Sequence, residues 1–278
     1  MKLYFYKFEL TPRRELNHLS SLAPREGVFL KGESSEGLGF CEYFPHPELG
    51  DKGVDDFLHS FLDQKTVSQQ KAMYLLHPQW SKIYEPKTFL NHQLFQRDHH
   101  LHSHVIKYKI KNHQDLSFLQ LLKKGIKLRL DANGLFDKLS WSQFYRSLPA
   151  DFSENLDYIE DPLSGLDWDD ISLNRARDFI MGDPFQVKIF KPYREFFPQN
   201  NKRVIFSGNM GHGLSNYQAY LELIQLSDLS EHHGIITEGI YEGLPELFIG
   251  DYQMGFTPDN SALKNYFLEL ESLEWRPL

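Results

Sequence analysis

From about residue 87 the chain becomes a succession of short apolar runs, and their spacing limits the fold more than any other feature. Phe89-Leu90-Asn91, Val105 to Ile110, Lys127 to Leu130, Leu156 to Ile159, Phe179-Ile180-Met181, Val187 to Phe190, Arg203 to Phe206 and Gly234 to Thr237 make eight. Short apolar runs bounded by turn residues read as buried strands. Several are separated by helical patterns. Leu116 to Lys124 is closed by Gly125 as a C′ glycine, and Ser140 to Leu148 has Ser140 as its N-cap and Pro149 as its stop. Eight strands with intervening helices predict an α/β fold of (β/α)8 barrel type. Only Asp183 to Gln186 separates the fifth and sixth runs, whereas a parallel crossover needs about a dozen residues. The barrel expected is therefore a trimmed one.

The residues before it read differently. Leu3 to Leu10 is rich in aromatic strand formers, and Val28 to Lys31 and Gly37 to Glu42 flank the turn-like cluster Gly32 to Glu36 as a hairpin. Val54, Phe57, Leu58, Phe61 and Leu62 then recur at helical spacing, as do apolar residues from Val67 to Leu76. Strands followed by helices predict an α+β capping domain over residues 1–86, which the helical stretch Ala262 to Trp275 rejoins within 256–278, and a catalytic barrel over 87–255. With 22 Phe and 14 Tyr there is ample material for a core. A formal charge of -8 argues against a nucleic-acid partner. The single Cys41 excludes an intramolecular disulfide and a Cys-rich zinc site, and fits a small apolar filler. Charges interrupt the apolar N-terminus, and no run approaches a membrane span. The expectation is a cytoplasmic protein with no membrane partner. Its oligomeric state is left open, with a monomer favoured.

Chemistry gathers where the runs end. Lys107 and Lys109 lie two apart, on one face of a strand, as do Arg129 with Asp131 and Tyr158 with Glu160. Asp183 and Lys191 each stand just before a proline, and Lys188 is a rival for Lys191. Taken singly, Lys-Tyr-Lys is a solvated strand and the acids are loop caps. Their common placement at strand C-termini points instead to one barrel mouth. Three carboxylates there make an all-oxygen site for a hard cation such as Mg2+. Nearby lysines could then exchange protons with a small-molecule carboxylate substrate.

The succession Lys-x-Lys, Leu-Arg-Leu-Asp-Ala-Asn, Ile-Glu-Asp-Pro, Gly-Asp and Lys-Pro resembles the enolase superfamily in its lysine-base, muconate-lactonizing-like branch. Within it the o-succinylbenzoate synthase family is the nearest likeness. Arg25 to Leu30 and Gly37 to Pro45 resemble the family's capping-domain opening. The resemblance implies Asp131, Glu160 and Asp183 as Mg2+ ligands, Lys109 as the base and Lys191 as the stabiliser of the enediolate. Lys107, Asn133, Ser207, Gly208, Asn209 and Gly211 are the candidate substrate-binding residues, and Arg129 either pairs with a ligand carboxylate as a supporting group or simply lines the barrel. The reaction implied is the syn-dehydration of a hydroxycyclohexadiene carboxylate to an aromatic acid. An N-acylamino acid racemase, a dipeptide epimerase and a non-catalytic binding barrel remain alternatives. Gly208, Gly211 and Gly213 precede the helical pattern Leu214 to Leu229. Either the helix amides there hold a substrate carboxylate or the glycines serve a tight loop. The run from His99 to His104 reads as solvated or interfacial histidines.

Overall fold

Aromatic and branched residues fill Lys2–Leu10 (β1), Arg25–Ser34 (β2) and Gly37–Tyr43 (β3), which pair as an antiparallel meander. The hairpin turn is tighter than expected, only Ser35 and Glu36, with the Ser34 hydroxyl accepting from the Glu36 amide. The computed structural model describes residues 1–14, 22–95, 101–122, 125–163, 187–197, 203–226, 229–236 and 239–278. Helices Val54–His59 (α1) and Val67–Leu75 (α2) cover β3. Tyr43 stacks on Phe57 with ring centroids 3.7 Å apart. Gly39 is required: a Cβ there would sit 1.8 Å from the Leu76 carbonyl oxygen. A reciprocal Thr66–Gln69 capping box starts α2.

The barrel strands are Leu90–Asn91 (β4), Gln93–Leu94 (β5), Val105–Lys109 (β6), Lys127–Asp131 (β7), Leu156–Glu160 (β8), Val187–Phe190 (β9), Arg203–Phe206 (β10) and His232–His233 (β11). All their pairings are parallel. They run β8–β7–β6–β5, across His92 to β4, then to β11, while β9 pairs with β10. A parallel bridge between Ser207 and Gly234 links the β10 and β11 edges. Six of the expected runs coincide with strands to within a residue or so, and the last lies two residues earlier than expected. The run Phe179–Met181 lies outside the described residues, between β8 and β9.

Period-two alternation divides the faces. Ile106, Tyr108, Leu128, Leu130 and Ile159 face outward into a cluster with Phe118, Phe136, Trp141, Phe144 and Phe152. That cluster is built by helices Leu119–Leu122 (α3), Lys138–Arg146 (α4) and Phe152–Asn155 (α5). Gly125 takes φ +65°, the left-handed conformation expected of a glycine beyond a helix end. The N-cap of α4 is Asp137 rather than Ser140. Ser140 stands three residues in, where its amide donates to Asp137 Oδ1 and its hydroxyl accepts from the Asp137 amide.

The longest helix, Gly213–Leu226 (α6), joins barrel to cap. Its Glu222 pairs with Lys71 of α2, both almost wholly buried, and the Lys71 ammonium lies 4.8 Å from the Tyr74 ring centroid. The hairpin Phe248–Asp251 (β12) and Gly255–Pro258 (β13) meets the barrel start through paired Phe89 and Phe256 backbone hydrogen bonds. Helix Asn260–Ser272 (α7), capped by Asp259, then buries Leu263, Tyr266, Phe267 and Leu270 in the core cluster that holds Phe40. Arg276–Pro277 (β14) pairs with β1, so the end of the chain joins its first sheet. Among the described residues no helix is long and apolar enough to cross a membrane.

A ring of charge closes the lower interior of the barrel. Register shifts by one residue between β7 and β8 beside Leu128 and Arg129. This bulge turns Asp157 toward the interior, the re-aiming such irregularities provide. Asp157 accepts from Arg129 Nε at 2.8 Å and from Arg203 Nη1 at 2.7 Å. Glu231 accepts from Arg129 Nη2 at 2.8 Å and from Arg203 Nε at 2.6 Å. Loss of any one member of such a network is costly, since buried charge is left poorly compensated. Asp157→Asn is expected to lower unfolding free energy by about 3 kcal/mol, measured by urea denaturation; an unchanged midpoint would contradict the ring's role.

Candidate active site

Above that ring three adjacent strands end in charge. Lys109, Asp131 and Glu160 are successive Cα partners at the C-terminal ends of β6, β7 and β8, and Lys107, Arg129 and Tyr158 form the layer beneath. Immediately after the acids the chain turns through left-handed residues, Asn133 at φ +46° and Asp161 at φ +44°. Asn and Asp are the non-glycine residues that adopt this region most readily. Asp-Ala-Asn-Gly and Glu-Asp-Pro thus let both strands stop just past their carboxylates. The Asn133 amide donates back to Asp131 Oδ1 at 3.2 Å. Its Nδ2 is buried, with no hydrogen-bond partner among the described residues.

Asp131 and Glu160 are each 4% exposed. Lys107 reaches up between them, its Nζ 2.9 Å from Asp131 Oδ2 and 2.6 Å from Glu160 Oε2. Burial opposes the charge on Lys107, but Asp131 and Glu160 outweigh it and hold the ammonium well above its ordinary range. Against its own desolvation, Asp131 is held below the usual carboxylate range by Lys107 and Lys109. Burial and the neighbouring Glu160 push Asp161 the other way, up to about 7.

The lysines differ. Burial brings Lys109 down to about 8, with Lys107 adding to the effect and Asp131 opposing it. Lys191 follows β9 and shares the strand face of Ile189, which packs inside the barrel against Tyr158, Val187 and Ile205. Burial opposes its charge, and Tyr193, Glu160 and Asp161 outweigh that, raising it. Lys188 faces the other way and pairs with Glu195 at 2.7 Å. Alternation along β9 therefore separates the two rivals, and Lys191 is the one directed to the mouth.

The loop after β10 is built from the cap side. Glu42 of β3 accepts the His212 amide on one oxygen and the Ser215 amide, at 2.9 Å, on the other. A Cβ on Gly211 would lie 2.1 Å from Glu42 Oε1, so a side chain there would evict the carboxylate. His46 Nε2 donates to the Asn209 carbonyl at 2.8 Å, and Asn209 Nδ2 donates to the Phe44 carbonyl at 3.3 Å. Arg194, three residues after Lys191, pairs with Asp51. The segment from Glu42 to Asp51 thus grips the loops after β9 and β10, and Met210 Sδ comes 3.9 Å from Lys109 Nζ.

Two expectations change. Two of the amides at the start of α6 that were candidates for a substrate carboxylate, those of His212 and Ser215, are taken by Glu42. The Ser207 and Gly208 amides pair with Phe190 and Gly234 carbonyls within the barrel. Arg129 does not pair with a ligand carboxylate: its donors go to Asp157, Glu231, His92 Nδ1 and the His232 carbonyl, one layer down. Asp183 lies outside the described residues, as do His99 and His100, while His102 and His104 are exposed. Among the described residues no three His, Cys, Asp or Glu side chains gather as a metal site. Asp131 and Glu160 supply two adjacent hard oxygen donors, with a cationic group already between them, and this set suits Mg2+. The sequence reading missed Glu42 as a loop anchor, although it stands in the Gly-Leu-Gly-Phe-Cys-Glu motif. It also missed the Asp157–Arg203–Glu231 ring, whose signal is charge at the starts of otherwise apolar runs.

The model of the family described as O-succinylbenzoate synthase, N-terminal domain, matches residues 3–75. The o-succinylbenzoate synthase of Bdellovibrio bacteriovorus is 25% identical over 185 residues, a stretch spanning 58% of this chain and 56% of that protein. The match thus covers little more than half of that relative's length. Among solved structures, the o-succinylbenzoate synthase from Thermosynechococcus elongatus BP-1, complexed with Mg in the active site, aligns with a TM-score of 0.63 at 18% identity, covering 98% of this chain and 100% of that one. The substrate-liganded L-Ala-D/L-Glu epimerase from Bacillus subtilis aligns with a TM-score of 0.65 at 11% identity, covering 93% and 95%.

The loop's anchoring carries a pH dependence. His212 packs against Phe8, Phe29 and Tyr266, and burial pushes its imidazole from 6.5 down to about 4. A depressed histidine contributes stability in full above its unfolded pKa and loses it as pH falls through the folded one. Thermal stability is expected to fall as pH drops from 6.5 toward about 4, and His212→Phe to flatten that fall. Identical acid slopes for both proteins would contradict it.

Proposed function

We propose that this chain, which has the fold of the enolase superfamily, is an o-succinylbenzoate synthase. It would carry out the Mg2+-dependent syn-dehydration of 2-succinyl-6-hydroxy-2,4-cyclohexadiene-1-carboxylate to o-succinylbenzoate, a carbon–oxygen lyase reaction of menaquinone biosynthesis. The observation that carries the reading is the arrangement of Lys109, Asp131 and Glu160 as partners on three adjacent strand ends, with Lys191 reaching the same mouth from β9. The match of residues 3–75 to the o-succinylbenzoate synthase N-terminal domain favours dehydration over other reactions of the fold. On this reading residues 1–86 with 256–278 form the cap and 87–255 the catalytic barrel.

Asp131 and Glu160, together with Asp183, would hold the Mg2+, which when bound supplies positive charge beside the substrate carboxylate. Lys109 takes the proton α to that carboxylate. Its burial favours the neutral amine, the form a general base requires. Syn elimination removes hydrogen and hydroxyl from one face. The ammonium formed on Lys109 therefore stands where the hydroxyl departs and returns the proton to it. A C–H and a C–O bond break, the ring becomes aromatic, and one water leaves. Lys191 keeps its charge and faces the electron-rich carboxylate as the proton is lost. The unpartnered Asn133 Nδ2 offers a donor to a substrate oxygen, and Met210 shields Lys109 from water.

Epimerisation of a dipeptide begins with the same proton abstraction, and two lysines reaching one mouth from different strands also suit it. Purified protein with Mg2+ is expected to aromatise the cyclohexadiene carboxylate, followed by ultraviolet absorbance, and to leave L-Ala-L-Glu optically unchanged. Turnover of the dipeptide alone would favour the epimerase. Lys109→Ala and Lys191→Ala should each lower kcat at least about a hundredfold, while Lys188→Ala leaves it essentially unchanged. Equal losses for Lys188 and Lys191 would refute the assignment of Lys191.

A further inference from the structure

We infer that Lys107 is the built-in counter-cation of the Asp131–Glu160 pair, and that a divalent cation reaches those carboxylates only by displacing its ammonium. The inference rests on the Mg2+ site proposed above, and adds that the chain carries its own competitor for that site.

Lys107 is the only described residue whose ammonium bonds both acids, at 2.9 and 2.6 Å. It is 8% exposed, so water does not share that role to any large degree. Its backbone sits a full layer below theirs, level with Arg129 and Leu94, and its side chain extends upward along the barrel axis to reach them. The floor under it is fixed, because Arg129 is tied to Asp157 and Glu231. The stem is therefore anchored at its root, and its tip is held by the two acids. Lysine suits such a role: it ends in a compact charge on a flexible four-carbon stem, whereas an arginine fork would hold the acids bidentately.

Two buried carboxylates on neighbouring strands need a cation, and a lysine from the same barrel supplies one while the protein folds. A divalent ion on the same oxygens gains their charge but must expel the ammonium. Removing the lysine should therefore weaken the folded protein without metal and tighten metal binding, the two effects linked through the same oxygens. Once expelled, the Lys107 ammonium lies beside the mouth, where a substrate carboxylate offers a new partner.

The test is thermal unfolding of wild type, Lys107→Met and Lys107→Gln, each in EDTA and across a Mg2+ titration. In EDTA the variants are expected to melt several degrees below wild type. Mg2+ should close that gap, with half-saturation at least about tenfold lower in the variants. Should Lys107→Met not fold in EDTA, Lys107→Gln carries the same comparison. In wild type, the 13Cε signal of one buried lysine should shift with Mg2+ and not with Na+. Variants that match wild type both in EDTA and in half-saturating Mg2+ overturn the inference alone. A Mg2+ series with no effect on any of the three proteins removes the metal site itself, and the competition with it.

Discussion

Asp131 and Glu160 cannot both be charged and buried unless a cation stands between them. Neighbouring strands hold such groups about 5 Å apart, where two like charges repel by about 3 kcal/mol at an effective dielectric near 20. Desolvation adds to that cost. Every other feature of the barrel mouth answers this constraint. Lys107 neutralises the pair from below. Asn133 and Asp161 take left-handed conformations so that the strands end beside it. The pair's field favours the charged form of both Lys109 and Lys191; burial outweighs it at Lys109, which is brought down, while Tyr193, Glu160 and Asp161 outweigh burial at Lys191, which is raised. The acid–base difference between these two lysines thus follows from how far burial is offset by the groups around each.

The two ends of the barrel interior use charge in contrasting ways. At the bottom, Arg129 and Arg203 share Asp157 and Glu231 in a closed ring, and planar guanidinium groups lock the geometry. At the mouth a lysine does the neutralising, and lysine permits exchange. The cap completes the upper end. Glu42 and His46 hold the loop that carries Met210, and the Asp51–Arg194 pair holds the segment after Lys191. Burial raises Glu42 to about 8 against the pull of the Ser215 and His212 amides, so even this anchor is a strained carboxylate in a dry setting. Sheet, loop and the segment after Lys191 are in this way connected by hydrogen bonds rather than by packing alone.

Much of this was legible in the sequence because it depends on period and punctuation. Strand β7 was expected over Lys127 to Leu130 and is found over Lys127–Asp131, since alternation and a following Asp-Ala-Asn-Gly define it locally. The same holds for α2, whose capping box is written in Thr66 and Gln69. The pairing of Lys109, Asp131 and Glu160 was legible because each ends an apolar run. What was not legible depends on register between distant segments. Nothing in the local sequence says that β7 and β8 slip by one residue to turn Asp157 inward, or that Arg129 is thereby drawn from the mouth to the floor. Nor does the Gly211 loop reveal that a carboxylate from β3, about 170 residues earlier, already bonds amides of the helix start, where a substrate carboxylate was one of two readings. The N-cap of α4 fell three residues from its expected place for a smaller reason. Asp137 and Ser140 are both good caps, and their reciprocal bonding makes the earlier one the boundary.

On the proposed function, a divalent cation binds the paired carboxylates at the barrel mouth. Anomalous diffraction from crystals grown with Mn2+ in place of Mg2+ tests it directly. The expected result is a peak bonded to Asp131 and Glu160, with the Lys107 side chain moved off both. A fully occupied Mn2+ peak elsewhere, with Lys107 still bridging the two acids, would contradict it.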